Sequence, residues 1–482
     1  MSIAARRTRL WVHNMRTRMP FRYGIATLTA LPHLFVRLTF EIDGRAVDGL
    51  AAEGLPPKWF TKDPATSFEQ DVEDMLAVIR GACRFAEQAG ACASVFELWH
   101  KLYATQHAWA EARRYPPLLA SFGASVVERA AIDAWCKAKA TTFADGLRCG
   151  GLGFDAGAIH PQLVGIDPAS LLPAAPRPRI AVRHTVGLSD PLTDAEIDPG
   201  DRVDDGLPHS LAACIAGYRL RYLKIKLGGD EDVDRQRLRA IATLLRQAEA
   251  PITFTLDGNE QYPSVAAFRA FWDALGRDQE LADMLRRLIV VEQPLHRDVA
   301  LAQGTAEALG NWPDRPPIII DESDGELGSL RVALESGYVG TSHKNCKGVF
   351  KGVANACLLA HRRHDDAGRR FVLTGEDLAN VGPVALLQDL AVMASLGLEH
   401  VERNGHHYFR GLGMLPGAVQ RRVLERHGDL YRADAAGVPT LDIRDGQIDL
   451  ASVLAAPFGC GMELDTGLFQ PLADWRFASL HG

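Results

Sequence analysis

Five segments of the sequence end an apolar run in a charge. They are Tyr222-Leu223-Lys224-Ile225-Lys226, Ile252-Thr253-Phe254-Thr255-Leu256-Asp257, Leu288-Ile289-Val290-Val291-Glu292, Ile318-Ile319-Ile320-Asp321 and Gly340-Thr341-Ser342-His343-Lys344. Side chains alternate between the two faces of a strand. Lys224 and Lys226 therefore share one face and Leu223, Ile225 and Leu227 the other, while Thr253, Thr255 and Asp257 oppose Ile252, Phe254 and Leu256. If these strands are neighbours, Asp257, Glu292 and Asp321 offer three carboxylates to a hard divalent cation. Magnesium suits such a set, with manganese as the alternative, and it leaves positions open for substrate oxygens. Lys226 and Lys344 bracket the acids, which adds proton-transfer groups to a Lewis-acid site. An unpaired charge buried in a barrel is costly, so such groups persist where they meet a counter-ion or a substrate. One acid at a strand end is commonly a helix cap or a solvated loop charge. Five charges at the ends of consecutive strands are not readily explained that way.

The elements around these residues suggest how they are held. Residues from about 8 to 55 read as strands, with Asp43-Gly44 as a tight turn after the β-rich stretch His33 to Phe40. From Ser67 to Lys139 the pattern is helical. A proline-rich stretch, Pro173 to Pro178, marks a boundary. Beyond it, strands such as Ile180 to Val186 alternate with helices at about thirty-residue spacing, through Phe371 to Thr374 and Leu398 to Glu402. That rhythm predicts an α/β fold, a modified TIM (β/α)7-8 barrel with an N-terminal α+β capping domain. The expected division is 1–170 for the cap, 178–425 for the barrel with its metal site, and 426–482 for a tail returning to the cap. Within that tail, Asp442 to Gly459 carries the strand signals expected to make the return.

Composition narrows the function class. The chain has 482 residues, 47% of them apolar, with 53 Lys plus Arg against 60 Asp plus Glu and a net charge of −7. These charges are mixed, with no basic patch for nucleic acid. No run of about 18 apolar residues suggests a membrane span. Met1 to Pro20 is arginine-rich but lacks the apolar core of a secretory signal, so a cytoplasmic location is expected. The 8 cysteines are scattered without a CxxC pair and read as reduced core thiols rather than a zinc site.

The ordered motifs resemble those of the enolase superfamily, in its muconate lactonizing enzyme-like branch within the mandelate racemase/muconate lactonizing enzyme group. Lys224-Ile225-Lys226 resembles the family's KxK motif, Asp257-Gly258-Asn259 its D-x-N stretch, Glu292-Gln293-Pro294 its E-Q-P segment and Asp321-Glu322-Ser323 its D-E-S segment. Lys344 stands where that branch keeps a lysine at the end of strand six. Glu53-Gly54 and Ala130-Ala131-Ile132-Asp133-Ala134-Trp135 resemble segments of its capping domain. Lys347-Gly348-Val349-Phe350 replaces the usual Gly-Gly pair, which leaves open whether Lys344 or Lys347 is the inward lysine. The chain is also longer than a typical member, with extra sequence before the barrel and around Gly187 to Pro208.

The resemblance implies metal-dependent removal of the proton next to a carboxylate, giving an enediolate. Asp257, Glu292 and Asp321 would hold the metal. Lys226 would be the base, with Lys224 lowering its pKa, and Lys344 the acid on the opposite face. Racemisation or epimerisation, or a cycloisomerisation, would follow. Acid-sugar dehydration on the same scaffold is the alternative, ahead of a Schiff-base aldolase and a non-catalytic binding relative. Asn259 and Glu322, beside ligands, are candidates to orient them and the substrate. Glu402, Asn404 and His406 share a parity after the last strand and are candidates for the substrate's distal end. Glu376 and Asp377 either cap a helix or line the pocket. His184 reads as a core histidine. His406-His407 is disfavoured as a second metal site because adjacent side chains diverge in a strand. The partner expected is a small carboxylate, with self-association into a homo-oligomer.

Overall fold

A computed structural model describes residues 1–481. The chain opens with three long antiparallel strands, β1 (Ile3–Tyr23), β2 (Ala26–Ile42) and β3 (Arg45–Gly54). Asp43 and Gly44 both take positive φ, 49° and 78°, the geometry of a two-residue hairpin turn, and so join β2 to β3 directly. Three helices follow, α1 (Phe68–Gln88), α2 (Val95–Glu111) and α3 (Pro117–Lys139). Helix α3 is buried from Leu118 to Cys136 and packs on β3 so closely that a Cβ on Gly49 would lie 1.9 Å from the Ala130 carbonyl oxygen.

Eight parallel strands then form a closed barrel: β4 (Arg179–Val186), β5 (Tyr222–Lys226), β6 (Thr253–Asp257), β7 (Leu288–Glu292), β8 (Ile318–Ile320), β9 (Gly340–His343), β10 (Val372–Gly375) and β11 (His400–Arg403). Each pairs with the next in sequence, and β11 closes on β4 through His400↔Ala181 to Arg403↔His184. Short polar residues cap the outer helices: the Asp230 side chain accepts from the amides of Asp232 and Val233, and Ser264 Oγ from that of Ala267. The apolar sets of the strands face those helices, and the polar sets face the barrel axis.

The tail differs in one respect from the sequence expectation. Within segment 442–459 the strand Gln447–Asp449 pairs antiparallel with the start of β4 in the barrel, and the segment meets the cap only at its end, where the Pro457 carbonyl accepts from the Phe143 amide at 2.8 Å and the Phe458 ring packs on Phe143. The strand pairing with the cap is made later, by Gln470–Pro471 against Trp11 and Val12 of β1. Strand-forming residues specify an extended backbone but not which sheet edge receives it. Among the described residues no helix is long and apolar enough to cross a membrane.

Candidate active site

The C-terminal ends of β5 to β11 deliver a dense cluster of buried charge. Register places Lys226 beside Asp257 and Asp257 beside Glu292. Asp321 follows β8 directly and Lys344 follows β9. In an eight-strand ring β5 and β9 stand four places apart, so Lys226 and Lys344 come from opposite walls. Both line one cavity with Lys224, Asn259, Asp321, Asp377, Glu402 and Asn404. About 430 Å³ of atom-free space lies within this lining, open solvent at its mouth included. Its roof comes from the cap: Phe21 and Tyr23 from β1, and Pro56 and Trp59 from the segment after β3. The Trp59 ring lies 4.7 Å from Lys344 Nζ, a cation–π contact.

Lys224 is the hub. Its Nζ lies 2.7 Å from Glu376 Oε2, 2.8 Å from Glu292 Oε1, and 3.0 Å from both Glu402 Oε2 and Asp257 Oδ2. Burial alone would favour the neutral amine. The carboxylates of Asp257, Glu292, Glu376 and Glu402 outweigh it and hold Lys224 well above the usual lysine range. Lys226 donates to Asp257 Oδ2 at 2.6 Å. Lys344 donates to Asp321 Oδ2 at 2.5 Å, and Lys347 Nζ lies 2.7 Å from Asp321 Oδ1. Against its burial, the Asp321 carboxylate keeps Lys344 firmly protonated. The open choice between the two lysines resolves geometrically: Lys344 borders the cavity, whereas Lys347 sits behind Asp321 and donates to Ser342 Oγ.

Two groups in this network were not among the candidates expected from the sequence. Arg183, on β4, ion-pairs with Glu376 and donates to the Gly375 carbonyl at 2.9 Å. Thr185, two residues on, donates to Glu402 Oε1 at 2.7 Å. The alternation Arg183, Thr185 was the available signal. Glu376, one of two readings held open, belongs to the cluster rather than to a helix cap.

The acids do not converge on a single point. Among the described residues the one group of three His, Cys or carboxylate side chains with donor atoms all within 4.8 Å is His184, Cys214 and His407. Asp257, Glu292 and Asp321 fall outside that limit, with Lys224 in contact with Asp257 and Glu292, and Lys344 with Glu292 and Asp321. Their chemistry nevertheless fits a hard cation. All are buried, and Glu292 Oε2 accepts no hydrogen bond and has only an ionic contact with Lys224 at 2.8 Å. Burial above all, and then the neighbouring Asp257, Glu376 and Asp321, push the Glu292 carboxyl well above the ordinary range.

The remaining candidates divide. Asn259 borders the cavity, its amide 3.4 Å from Glu322 Oε1, so Glu322 stands one layer back. Burial together with Asp321, Glu260 and Asp257 raises the Glu322 carboxyl to about 7. Glu402 and Asn404 line the cavity. His406 does not: β11 ends at Arg403 and Gly405–Tyr408 is a helical turn, so strand parity stops before it. His406 instead meets His184 on the outside of the barrel wall, with Nε2 3.1 Å from His184 Nδ1.

No protein-family model matches the chain, and no curated protein does. Solved structures do. A muconate lactonizing enzyme from Pseudomonas fluorescens, complexed with muconolactone, is 16% identical, covering 96% of this chain and 98% of its own with a TM-score of 0.57. The N-succinyl Arg/Lys racemase of Bacillus cereus is 16% identical over 97% of each chain, TM-score 0.59. A Bradyrhizobium enolase complexed with magnesium and mandelic acid is 14% identical over 98% of this chain and 99% of its own, TM-score 0.56. The likeness at these identities is one of architecture, and by it the chain has the capped-barrel fold of the enolase superfamily, in the form shared by muconate lactonizing enzymes and mandelate racemase-like proteins.

Proposed function

We propose that the chain is an enolase-superfamily isomerase that removes the proton alpha to a carboxylate, as a racemase, epimerase or cycloisomerase of a small carboxylic acid. One observation carries this reading: ammonium groups from opposite barrel walls, Lys226 and Lys344, border one cavity, with the acids of three intervening strands between them.

Asp257, Glu292 and Asp321 would hold magnesium, or manganese in its place. When bound, the cation supplies positive charge toward the substrate carboxylate, whose oxygens gain the second negative charge as the carbon acid ionises. The chain's own residues do the rest. Without a cation, the carboxylates of Asp257, Glu292, Asp321, Glu376 and Glu402 are matched one for one by Arg183, Lys224, Lys226, Lys344 and Lys347. Loss of the Lys226 proton together with the substrate carboxylate therefore offsets the two charges of an added divalent cation. Lys226, after its own proton has left to solvent, takes the substrate proton at Nζ from one face. Lys344, held protonated by Asp321, returns a proton from the other. Trp59 and Phe21 exclude water above the reacting carbon.

Incubation in D2O with a panel of α-substituted carboxylates and magnesium, followed by proton NMR, tests this. The wild type exchanges the α-proton of at least one panel member. Lys226→Ala abolishes exchange from one enantiomer, and Lys344→Ala from the other. Undiminished exchange in Lys226→Ala refutes the assigned base. A 2-keto product from aldonates would move the chain to the acid-sugar dehydratases instead.

A further inference from the structure

We propose a second metal site, outside the barrel wall, in which Cys214, His184 and His407 bind a zinc-like divalent ion. His184 is on β4, where its neighbours Arg183 and Thr185 reach into the barrel, so its own ring points outward. It meets Cys214 on the helix Leu211–Tyr218 and His407 on the turn Gly405–Tyr408. One donor atom from each of the three lies within 4.8 Å of the others, and all three residues are buried.

The separation of two of the donors is close to an edge of a tetrahedral thiolate–imidazole site. Cys214 Sγ and His407 Nδ1 are 3.7 Å apart. Zinc bonds of about 2.3 Å to sulfur and about 2.0 Å to nitrogen give a tetrahedral edge of roughly 3.5 Å. One histidine has the outer hydrogen-bond partner that orients a ligating ring, and the other faces a carboxylate just beyond hydrogen-bond reach. His407 Nε2 faces Asp190 Oδ2 at 3.8 Å, and His184 Nδ1 pairs with His406 Nε2 at 3.1 Å. Asp190 is itself fixed, accepting from Tyr408 Oη at 2.6 Å and from the Gly187 amide at 2.7 Å. Charge closes as well: the Cys214 proton leaves to solvent as the metal–sulfur bond forms, and thiolate plus Asp190 carboxylate offset the two charges of the ion.

A packed apolar core does not account for this cluster. Three imidazole rings meet edge to face, with centroids 4.7 and 5.2 Å apart at His184, and the buried His406 Nδ1 has no partner. A metal here would tie β4, its following helix and the turn after β11 together. That turn carries Tyr408, which stacks at 4.0 Å on Phe21 of the cavity roof.

Full-length protein expressed in zinc-supplemented medium and dialysed tests the site by metal analysis and X-ray absorption. The expected result is one tightly held zinc with one sulfur at about 2.3 Å and the remaining neighbours nitrogen or oxygen near 2.0 Å. Cobalt-loaded protein shows a thiolate-to-cobalt charge-transfer band that Cys214→Ser and His407→Gln remove and Asp257→Asn keeps. Wild-type protein that retains no stoichiometric zinc, or zinc with no sulfur neighbour, overturns the proposal whether or not the variants fold. A cobalt band that survives Cys214→Ser overturns it too.

Discussion

Glu292 concentrates the conflict between stability and function at the scale of single residues. Its carboxyl is crowded by Asp257, Glu376 and Asp321, and one of its oxygens accepts no hydrogen bond. Glu292→Gln relieves that crowding while keeping an acceptor for Lys224. The substitution is expected to stabilise the metal-free protein by about 1–2 kcal/mol in urea titrations and to weaken manganese binding on the order of 100-fold. A destabilised Gln variant would show that Glu292 contributes more as a partner of Lys224 than it costs as a buried charge. The acids at the strand ends were legible in the sequence because each closes an apolar run whose alternation fixes its face. The partners of Lys224 were less legible. Glu376 and Glu402 reach it only because β11 closes on β4 and brings the last strands beside the second. His406 was misplaced because parity was extended past Arg403 into a helical turn.

Elements set how precisely those residues are held. Strand β9 begins at Gly340, where a Cβ would lie 1.7 Å from the Val372 carbonyl oxygen of β10. Gly340→Ala must force apart these hydrogen-bonded strands just below Lys344. It is expected to cost about 3 kcal/mol or more, seen as a lowered denaturation midpoint. The roof offers a gentler test. Trp59 packs over Lys344 from a segment that contributes nothing to the acid cluster. Trp59→Ala should raise KM on the order of 10-fold and leave kcat within about threefold, measured on whichever carboxylate shows exchange. A collapse of kcat with KM unchanged would place Trp59 in the chemistry instead. The barrel's βα rhythm and the cap's strand-then-helix order were readable from periodicity. The roof was not, because loop residues such as Pro56 and Trp59 carry no period and their contacts lie far along the chain.

At the scale of the whole molecule, buried ionisable groups make stability depend on pH in opposing ways. Burial, with His13 and Arg129 nearby, lowers His33 to about 3 from 6.5, and neither ring nitrogen has a partner. The unfolded chain takes up this proton below pH 6.5 and the folded one only near 3. His33 therefore costs stability progressively as pH falls from 6.5 toward 3, and nothing above 6.5. Glu53 and Glu128, raised to about 8 chiefly by burial, act the other way: stability falls as pH rises from 4.5 to 8. The comparison must therefore be differential. His33→Leu should gain on the wild type by about 1.4 kcal/mol per pH unit below roughly pH 6, as read from urea midpoints at about pH 5 and about pH 7.5. Parallel pH curves for the two proteins would show that His33 does not titrate in this way. The crowded barrel mouth is proposed as a cation site whose acids are held by lysines until an ion arrives. Anomalous diffraction from crystals grown with manganese tests it most directly. The predicted result is one manganese ion bound by oxygens of Asp257, Glu292 and Asp321, with Lys224 and Lys344 drawn away from them. A mouth without manganese, its ammonium–carboxylate pairs intact at millimolar manganese, would contradict it.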